Sequence, residues 1–302
     1  MMNKIHINEK LFYLCKIKQK YYLLPEEVTP LRVAKSKRFI TKVMFLCAVA
    51  RPRWDVGRNQ WFDGKLGIWP FVEKVQAVRN SRNRVRGTWE TKNVNVKREN
   101  FREMLVEKLL PSIIAKWPEA DRARTIEIQQ DNAKPHCFSD DEGFHDAVAA
   151  AGWDMRLVRQ PPNSPDLNVL DLGYFAAIQS LQYKKRSKNI DDLINSVELS
   201  FIELDRYKLN NVFLTLQCVM EKIILNDGGN DFKLPHMNKA KLMRLNRLPI
   251  SIQASEEVMT KIQAVPIQAV PIQAVPIQAA PIQAVPMQAA PIQAVPNQAV
   301  HI

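Results

Sequence analysis

Two stretches decide how this chain is read. The first is Thr125-Ile126-Glu127-Ile128-Gln129-Gln130-Asp131-Asn132-Ala133-Lys134-Pro135-His136; the second is QPPNSPDLNVLDLGYF, Gln160 to Phe175. The first opens as a short β-branched run and turns polar at Gln130-Asp131-Asn132, the pattern of a buried strand whose C-terminal end offers a carboxylate in a crevice. The second is a loop stiffened by Pro161, Pro162 and Pro165. From about Leu170 its apolar residues Leu172, Phe175, Ala176, Ile178 and Leu181 recur at helical spacing. Asp171 then sits in a first helical turn, where a negative charge is favoured. Asp131 and Asp171 have 39 residues between them. Two carboxylates on separate rigid elements can share hard divalent cations, which take oxygen ligands and support phosphoryl transfer.

Such chemistry calls for a third acid, and the strand pattern of IHINEKLFYL, Ile5 to Leu14, is where it belongs. The position is filled by Asn8. An amide carbonyl can approach a cation, but it brings no charge to offset the repulsion of two metal ions. Losing several kcal/mol of transition-state stabilisation costs about a thousandfold in rate per 4 kcal/mol. Because side chains alternate along a strand, Glu9 is expected to face away from Asn8, whereas His6 shares the Asn8 face. A register slip or a bulge would reverse this.

Taken in order, HINEKLFYL, KSKRFITKVMFLCAVARPRWD, QQDNAKPH and QPPNSPDLNVLDLGYF resemble the catalytic domain of mariner-like transposases, in particular the plant-type branch with an aspartate triad. The likeness runs from about Lys4 to Leu225. It implies an α/β, RNase H-like fold: a mixed sheet flanked by helices, with the acids gathered at one edge. It also implies cut-and-paste DNA transposition through a two-metal site holding Mg2+ or Mn2+. Carried over by position, the family's three acids fall on Asn8, Asp131 and Asp171, with Asp131 and Asp171 as metal ligands. The family further implies work as a dimer, either a homodimer or a dimer with an intact transposase, and a nuclear location. Its members carry a helix-turn-helix region ahead of the catalytic domain. Here the first strand starts near Lys4, so the expectation is a truncated, catalytically impaired copy without sequence-specific end recognition.

Composition agrees with a nucleic-acid partner. The net charge is +12 with a pI near 9.5, and every Lys and Arg lies at or before Lys261. Arg79, Arg82, Arg84 and Arg86 form the densest cluster, and Lys184, Lys185, Arg186 and Lys188 follow the predicted helix of Asp171. Both are read as phosphate contacts, with a solvated loop and a solvated helix end as the plain alternatives. The second cluster also has the composition of a nuclear import signal. No signal peptide is visible, and the longest apolar run, Val43 to Ala50, is too short to span a bilayer. DNA is therefore the expected partner, with no membrane and no small-molecule substrate. Cys15, Cys47, Cys137 and Cys218 show no paired spacing and are read as reduced thiols. His136 is assigned a structural hydrogen bond, and Asp166 the organisation of its turn.

Strands are predicted near 4-14, 19-24, 42-50, 65-72, 89-96, 125-130 and 154-159, with helices near 97-116, 140-151, 171-184, 190-205 and 208-225. The chain divides into a catalytic domain over 1-226, a basic linker over 227-261 and a repeat of Ile-Gln-Ala-Val-Pro over 262-302. A proline every fifth residue removes helix and central strand, so that tail is expected to be disordered. Three functions stay open: an impaired transposase domain that binds DNA nonspecifically, a working nuclease in which Glu9 or His6 substitutes, and a non-enzymatic protein that keeps the fold for DNA binding or for partnering intact transposases.

Overall fold

The computed structural model describes residues 1–15, 24–28, 39–82, 84–137, 140–229, 231–233 and 236–264. The chain divides into two units, Met1–Ala264 and Val265–Ile302, and every described residue belongs to the first. The strand predicted over 19–24 lies outside the described residues except for Leu24, and so does the repeat from Val265 onward.

Five strands form the central sheet: β1 (Lys4–Tyr13), β2 (Lys42–Ala50), β5 (Lys65–Pro70), β8 (Ile126–Gln130) and β9 (Met155–Arg159). Their spatial order is β5-β2-β1-β8-β9. β2 pairs antiparallel with β1 and β5, whereas β8 is parallel to both β1 and β9. Side chains of β1 and β2 alternate between two cores, as a period of two requires. Ile5, Ile7, Leu46, Ala48 and Ala50 face one core and Phe12, Val43, Phe45, Cys47 and Val49 the other.

Helices cover both faces. Over the first lie α1 (Arg98–Met104), α2 (Leu110–Lys116) and α3 (Glu142–Ala150); over the second lie α4 (Phe175–Gln182), α5 (Ile190–Glu203) and α6 (Arg206–Leu225). A sheet half antiparallel and half parallel between two helical layers is the mixed, RNase H-like architecture. Each large apolar side chain fully buried here, Phe101 and Phe213 among them, contributes roughly 1.5–3 kcal/mol of hydrophobic stabilisation.

The helix predicted over 97–116 carries an irregularity. Phe101, Leu105, Leu109, Ile113 and Trp117 are all fully buried, as their spacing requires, but a single π-helical turn, Leu105–Leu109, separates α1 from α2. Pro111 stands in the first turn of α2. A proline there lacks an N–H and its ring would collide with the carbonyl four residues back, and a widened turn relieves that conflict.

Two small antiparallel pairs were not legible as such. β3 (Arg53–Asp55) and β4 (Gln60–Phe62) form a hairpin, and β6 (Val72–Gln76) pairs with β7 (Trp89–Asn93). The single strand expected over 65–72 is thus two. It breaks after Pro70, which cannot donate to a ladder, and Phe71 N–H instead donates to the Met44 carbonyl at 2.8 Å.

Beyond Leu225 the segment read as a linker contains α7 (Lys239–Arg244) and α8 (Glu256–Ala264). Lys261 Nζ donates to the Leu225 carbonyl at 2.8 Å, and Val258 is buried. α8 takes in Ile262, Gln263 and Ala264, which corrects the expectation that helix is lost from the first repeat residue. The proline-based argument applies only from Val265, the residue ahead of Pro266.

Candidate functional site

The parallel pairing of β1 and β8 sets Lys4 beside Glu127, Ile5 beside Ile128 and His6 beside Gln129. The same offset carried two residues further brings Asn8 level with Asp131, the first residue beyond β8. Neutral amides lace the surrounding loops together. Gln130 Nε2 donates to the Cys137 carbonyl at 2.6 Å and Asn132 Nδ2 to the Gln160 carbonyl at 3.0 Å. Gln129 Nε2 reaches the Leu167 carbonyl at 2.9 Å. Asn168, fully buried, donates to the Ile7 carbonyl and accepts from Leu170 N–H, both at 3.0 Å. These contacts fasten the proline-stiffened loop onto β1 and β8, and so deliver Asp171. That residue lies in a π-helical turn, Leu170–Tyr174, immediately ahead of α4.

Asn8 is 5% exposed and its amide orientation is forced by its neighbours. Its Oδ1 accepts the Glu9 N–H at 2.7 Å, while its Nδ2 donates to Asp171 Oδ2 at 2.6 Å. A main-chain N–H can only donate and a carboxylate can only accept, so the reversed amide would lose both bonds. Asn8 therefore turns a donor, not an oxygen ligand, toward Asp171.

Asp131 has a different partner. His136 Nδ1 lies 2.9 Å from Asp131 Oδ1 and 3.1 Å from the Asp131 carbonyl. The opposite ring nitrogen, Nε2, lies 2.9 Å from Glu9 Oε2. The imidazole is stacked on Phe101 at 4.4 Å between centroids and is almost fully buried. Glu9 does point to the face opposite Asn8, as alternation predicts, yet His136 ties it to Asp131 around the end of the sheet. The structural hydrogen bond expected of His136 is present, and its partners make it the centre of a carboxylate–imidazole–carboxylate chain.

The electrostatics follow from these contacts. Burial disfavours the imidazolium, but the hydrogen bonds to Asp131 and Glu9 together outweigh it and raise the His136 pKa to about 10. Asp131 is held below the usual carboxylate range, chiefly by His136 and also by Ala133 N–H. Asp171 moves the other way. Desolvation raises it, Asn8 and Lys10 oppose the rise, and repulsion from Asp131 and Glu9 adds to it. That repulsion shows the three carboxylates to be electrostatic neighbours. His6 shares the Asn8 face but packs edge-on against Phe213, and burial lowers its pKa to about 3.

The residues present do not fit a two-metal centre. Asn8 aims N–H at Asp171, and an imidazolium already neutralises Asp131. Among the described residues no group of three or more His, Cys, Asp or Glu side chains is placed to hold a metal ion.

The arginines of the first basic cluster lie in the connection between β6 and β7, which is pinched by pairing of Ser81 with Arg84. Arg79, Arg82 and Arg86 are exposed, while Arg84 is ion-paired with Glu90. In the second cluster Lys185 pairs with Glu203 at 2.7 Å, and Lys184, Arg186 and Lys188 are exposed between α4 and α5. The places of Gln129, Gln130, Asn132 and Asn168 in the site, and the contact of Glu9 with His136, were missed by sequence reasoning. The signal available was the density of carboxamides around both aspartates, too polar for a core and too regular for a solvated loop.

No protein-family model matches the chain, and no curated protein matches it. Solved structures do. The Mos1 mariner paired end complex with Mn is 17% identical with a TM-score of 0.52, covering 76% of this chain and 57% of that one. A pre-cleavage Mos1 transpososome gives 17% identity and 0.52, covering 77% and 57%. The Mos1 Strand Transfer Complex gives 17% and 0.51, covering 76% and 56%. The chain thus spans a little over half the length of these solved chains. At such identity the shared feature is the fold, the RNase H-like sheet with its two helical layers.

Proposed function

We propose that this chain is the catalytic domain of a DDE-type, mariner-like DNA transposase that has lost phosphoryl transfer and keeps sequence-independent DNA binding. The observation that carries the reading is the Asn8–Asp171 hydrogen bond. In this reading Asn8 stands in for the family's first acid, and its amide is committed as a hydrogen-bond donor to the third. Asp131 and Asp171 remain on the elements that would present them to a substrate phosphate. The Mos1 complexes with the same fold are assemblies of transposase with transposon ends, which supports DNA as the partner. Dimerisation, a nuclear location and a requirement for Mg2+ or Mn2+ in any active ancestor belong to the same reading.

Retained binding rests on charge. Exposed Arg79, Arg82 and Arg86 and exposed Lys184, Arg186 and Lys188 have no carboxylate ion pair among the described residues, and cations of this kind bind phosphates by releasing counterions. Nicking of supercoiled DNA with Mg2+ or Mn2+ tests the proposal. The unmodified chain should be silent and Asn8→Asp should nick, with Asp131→Ala as the blank. Nicking by the unmodified chain that disappears in Asp131→Ala would overturn the loss of activity. Failure to retard duplex DNA at low salt would overturn the retained binding.

A further inference from the structure

At the N-terminal end of β1, where Ile5 pairs with Ala50, a cavity of about 490 Å3 opens beneath the β3–β4 hairpin. It lies away from Asp131 and Asp171 and falls in the size range of small-ligand sites. Three aromatic side chains on its wall are left open: Trp54 is 46% exposed, Trp61 47% and Tyr207 46%. Trp54 and Trp61 face each other across the hairpin, 5.9 Å apart and edge to face. The Arg206 guanidinium lies 4.7 Å from the centroids of both Trp61 and Tyr207, so it is held between two rings.

Two cations of this wall, Arg51 and Arg206, have no carboxylate ion pair among the described residues. Arg51 is 3% exposed and bonds the Ile250 carbonyl and Met1 Sδ, both neutral. Arg53 is turned to the opposite face of the hairpin, where its guanidinium packs 4.9 and 4.7 Å from the Phe62 and Trp117 ring centroids and donates from Nε to Asp121 at 2.7 Å and from Nη1 to the Arg51 carbonyl, so it faces the core and not the cavity. Arg206 donates from Nη2 to the Tyr207 hydroxyl at 3.1 Å, and its Nε is buried without a partner. A guanidinium charge that meets no carboxylate within the protein is suited to the anionic oxygens of a ligand.

We infer that this cavity binds an unpaired nucleotide of a nucleic-acid strand, with the base on the exposed Trp54 ring and the phosphate on Arg51 and Arg206. Open aromatic faces beside unanswered guanidinium groups are the two halves of nucleotide recognition, a stacking platform and an anion site. A simple anion would not need the aromatics, and a neutral apolar ligand would leave the arginine donors unmet. The cavity owes nothing to Asp131 or Asp171, so this reading and the proposed loss of catalysis stand or fall separately.

Fluorescence anisotropy of the full chain with a short labelled oligothymidylate, beside a blunt duplex of matched length, tests it. Trp54→Ala should weaken the single strand by about five- to a hundredfold, the range of one lost base stack, and leave the duplex nearly unchanged. Trp54→Phe, which keeps a stacking face, should restore most of the affinity and so separates stacking from misfolding. Arg206→Gln should weaken the single strand as well. Unchanged single-strand affinity in Trp54→Ala and Arg206→Gln, or an equal loss for duplex, overturns the inference. Thymidine monophosphate that competes as well as the oligomer overturns the assignment to a strand and makes the ligand a free nucleotide.

Discussion

Replacing Asn8 by aspartate should make this protein's stability depend on a divalent cation. The unmodified chain satisfies Asp171 with an amide N–H at 2.6 Å. A hydrogen bond to a charged acceptor contributes about 1.5–3 kcal/mol. Asn8→Asp removes it and sets a second negative charge against the first. At about 4 Å and an effective dielectric near 20 the repulsion is about 4 kcal/mol. Exposure of Asp171 to solvent and uptake of a shared proton lower the figure. A net loss of about 2–4 kcal/mol at neutral pH is the expected result, and for a domain of this size that is a fall of roughly 5–15 °C in Tm.

A cation should reverse the loss in the variant only. With three carboxylates converging, Mg2+ or Mn2+ at about a hundred times its Kd returns roughly 2.7 kcal/mol. Thermal melts in EDTA and in excess Mg2+ measure both quantities. The exchanged pair, Asn8→Asp with Asp171→Asn, restores an amide–carboxylate bond, so it should recover metal-free stability while losing the metal response. Equal melting of Asn8→Asp and the unmodified chain in EDTA would refute the reasoning, and so would equal stabilisation of both by metal.

Three further outcomes are expected. Because the folded His136 pKa is raised to about 10 from an unfolded value near 6.5, its stabilisation is complete below about pH 6.5 and is lost as pH rises toward 10. Urea denaturation at pH 6 and pH 9.5 should show the decline, and His136→Phe should abolish it. Exchange of Arg79, Arg82 and Arg86 for alanine should make duplex binding less salt-dependent, lowering the slope of log K against log salt by up to about 2.7; an unchanged slope would remove that cluster from the DNA contact. Asp141 caps α3 through Phe144 N–H and accepts Arg102 in a fork at 2.7 to 3.0 Å. Asp141→Ala should cost about 2 kcal/mol, read as a lower urea midpoint with an unchanged slope.

How much of this was legible in the sequence depended on which force set each feature. Strands such as Lys42–Ala50 and helices such as Ile190–Glu203 were readable because burial imposes its period on apolar residues. The β3–β4 hairpin was not, since Arg53-Trp54-Asp55 and Gln60-Trp61-Phe62 are too short to show a period. The π turn at Leu105–Leu109 left no periodic trace, although Pro111 was the available warning. Asp131 and Asp171 could be placed at the ends of their elements from local pattern alone. The partnership of Glu9 with His136 could not, because it joins residues 127 positions apart in sequence through a side-chain contact.

That partnership also explains how the site survives as a set of crowded acids. Asp131 and Glu9 both repel Asp171. The relief is internal. His136 carries its positive charge between Asp131 and Glu9, and Asn8 gives Asp171 a hydrogen-bond donor. One consequence separates this arrangement from a merely damaged active site. Restoring the acid at position 8 removes only half of the internal compensation, because His136 still occupies Asp131. Asn8→Asp should therefore bind metal more weakly than Asn8→Asp combined with His136→Gln, which frees Asp131 while keeping a hydrogen-bonding side chain. Isothermal titration with Mn2+ on the two variants decides it, and equal affinity would show that the imidazolium is not what holds the cation out.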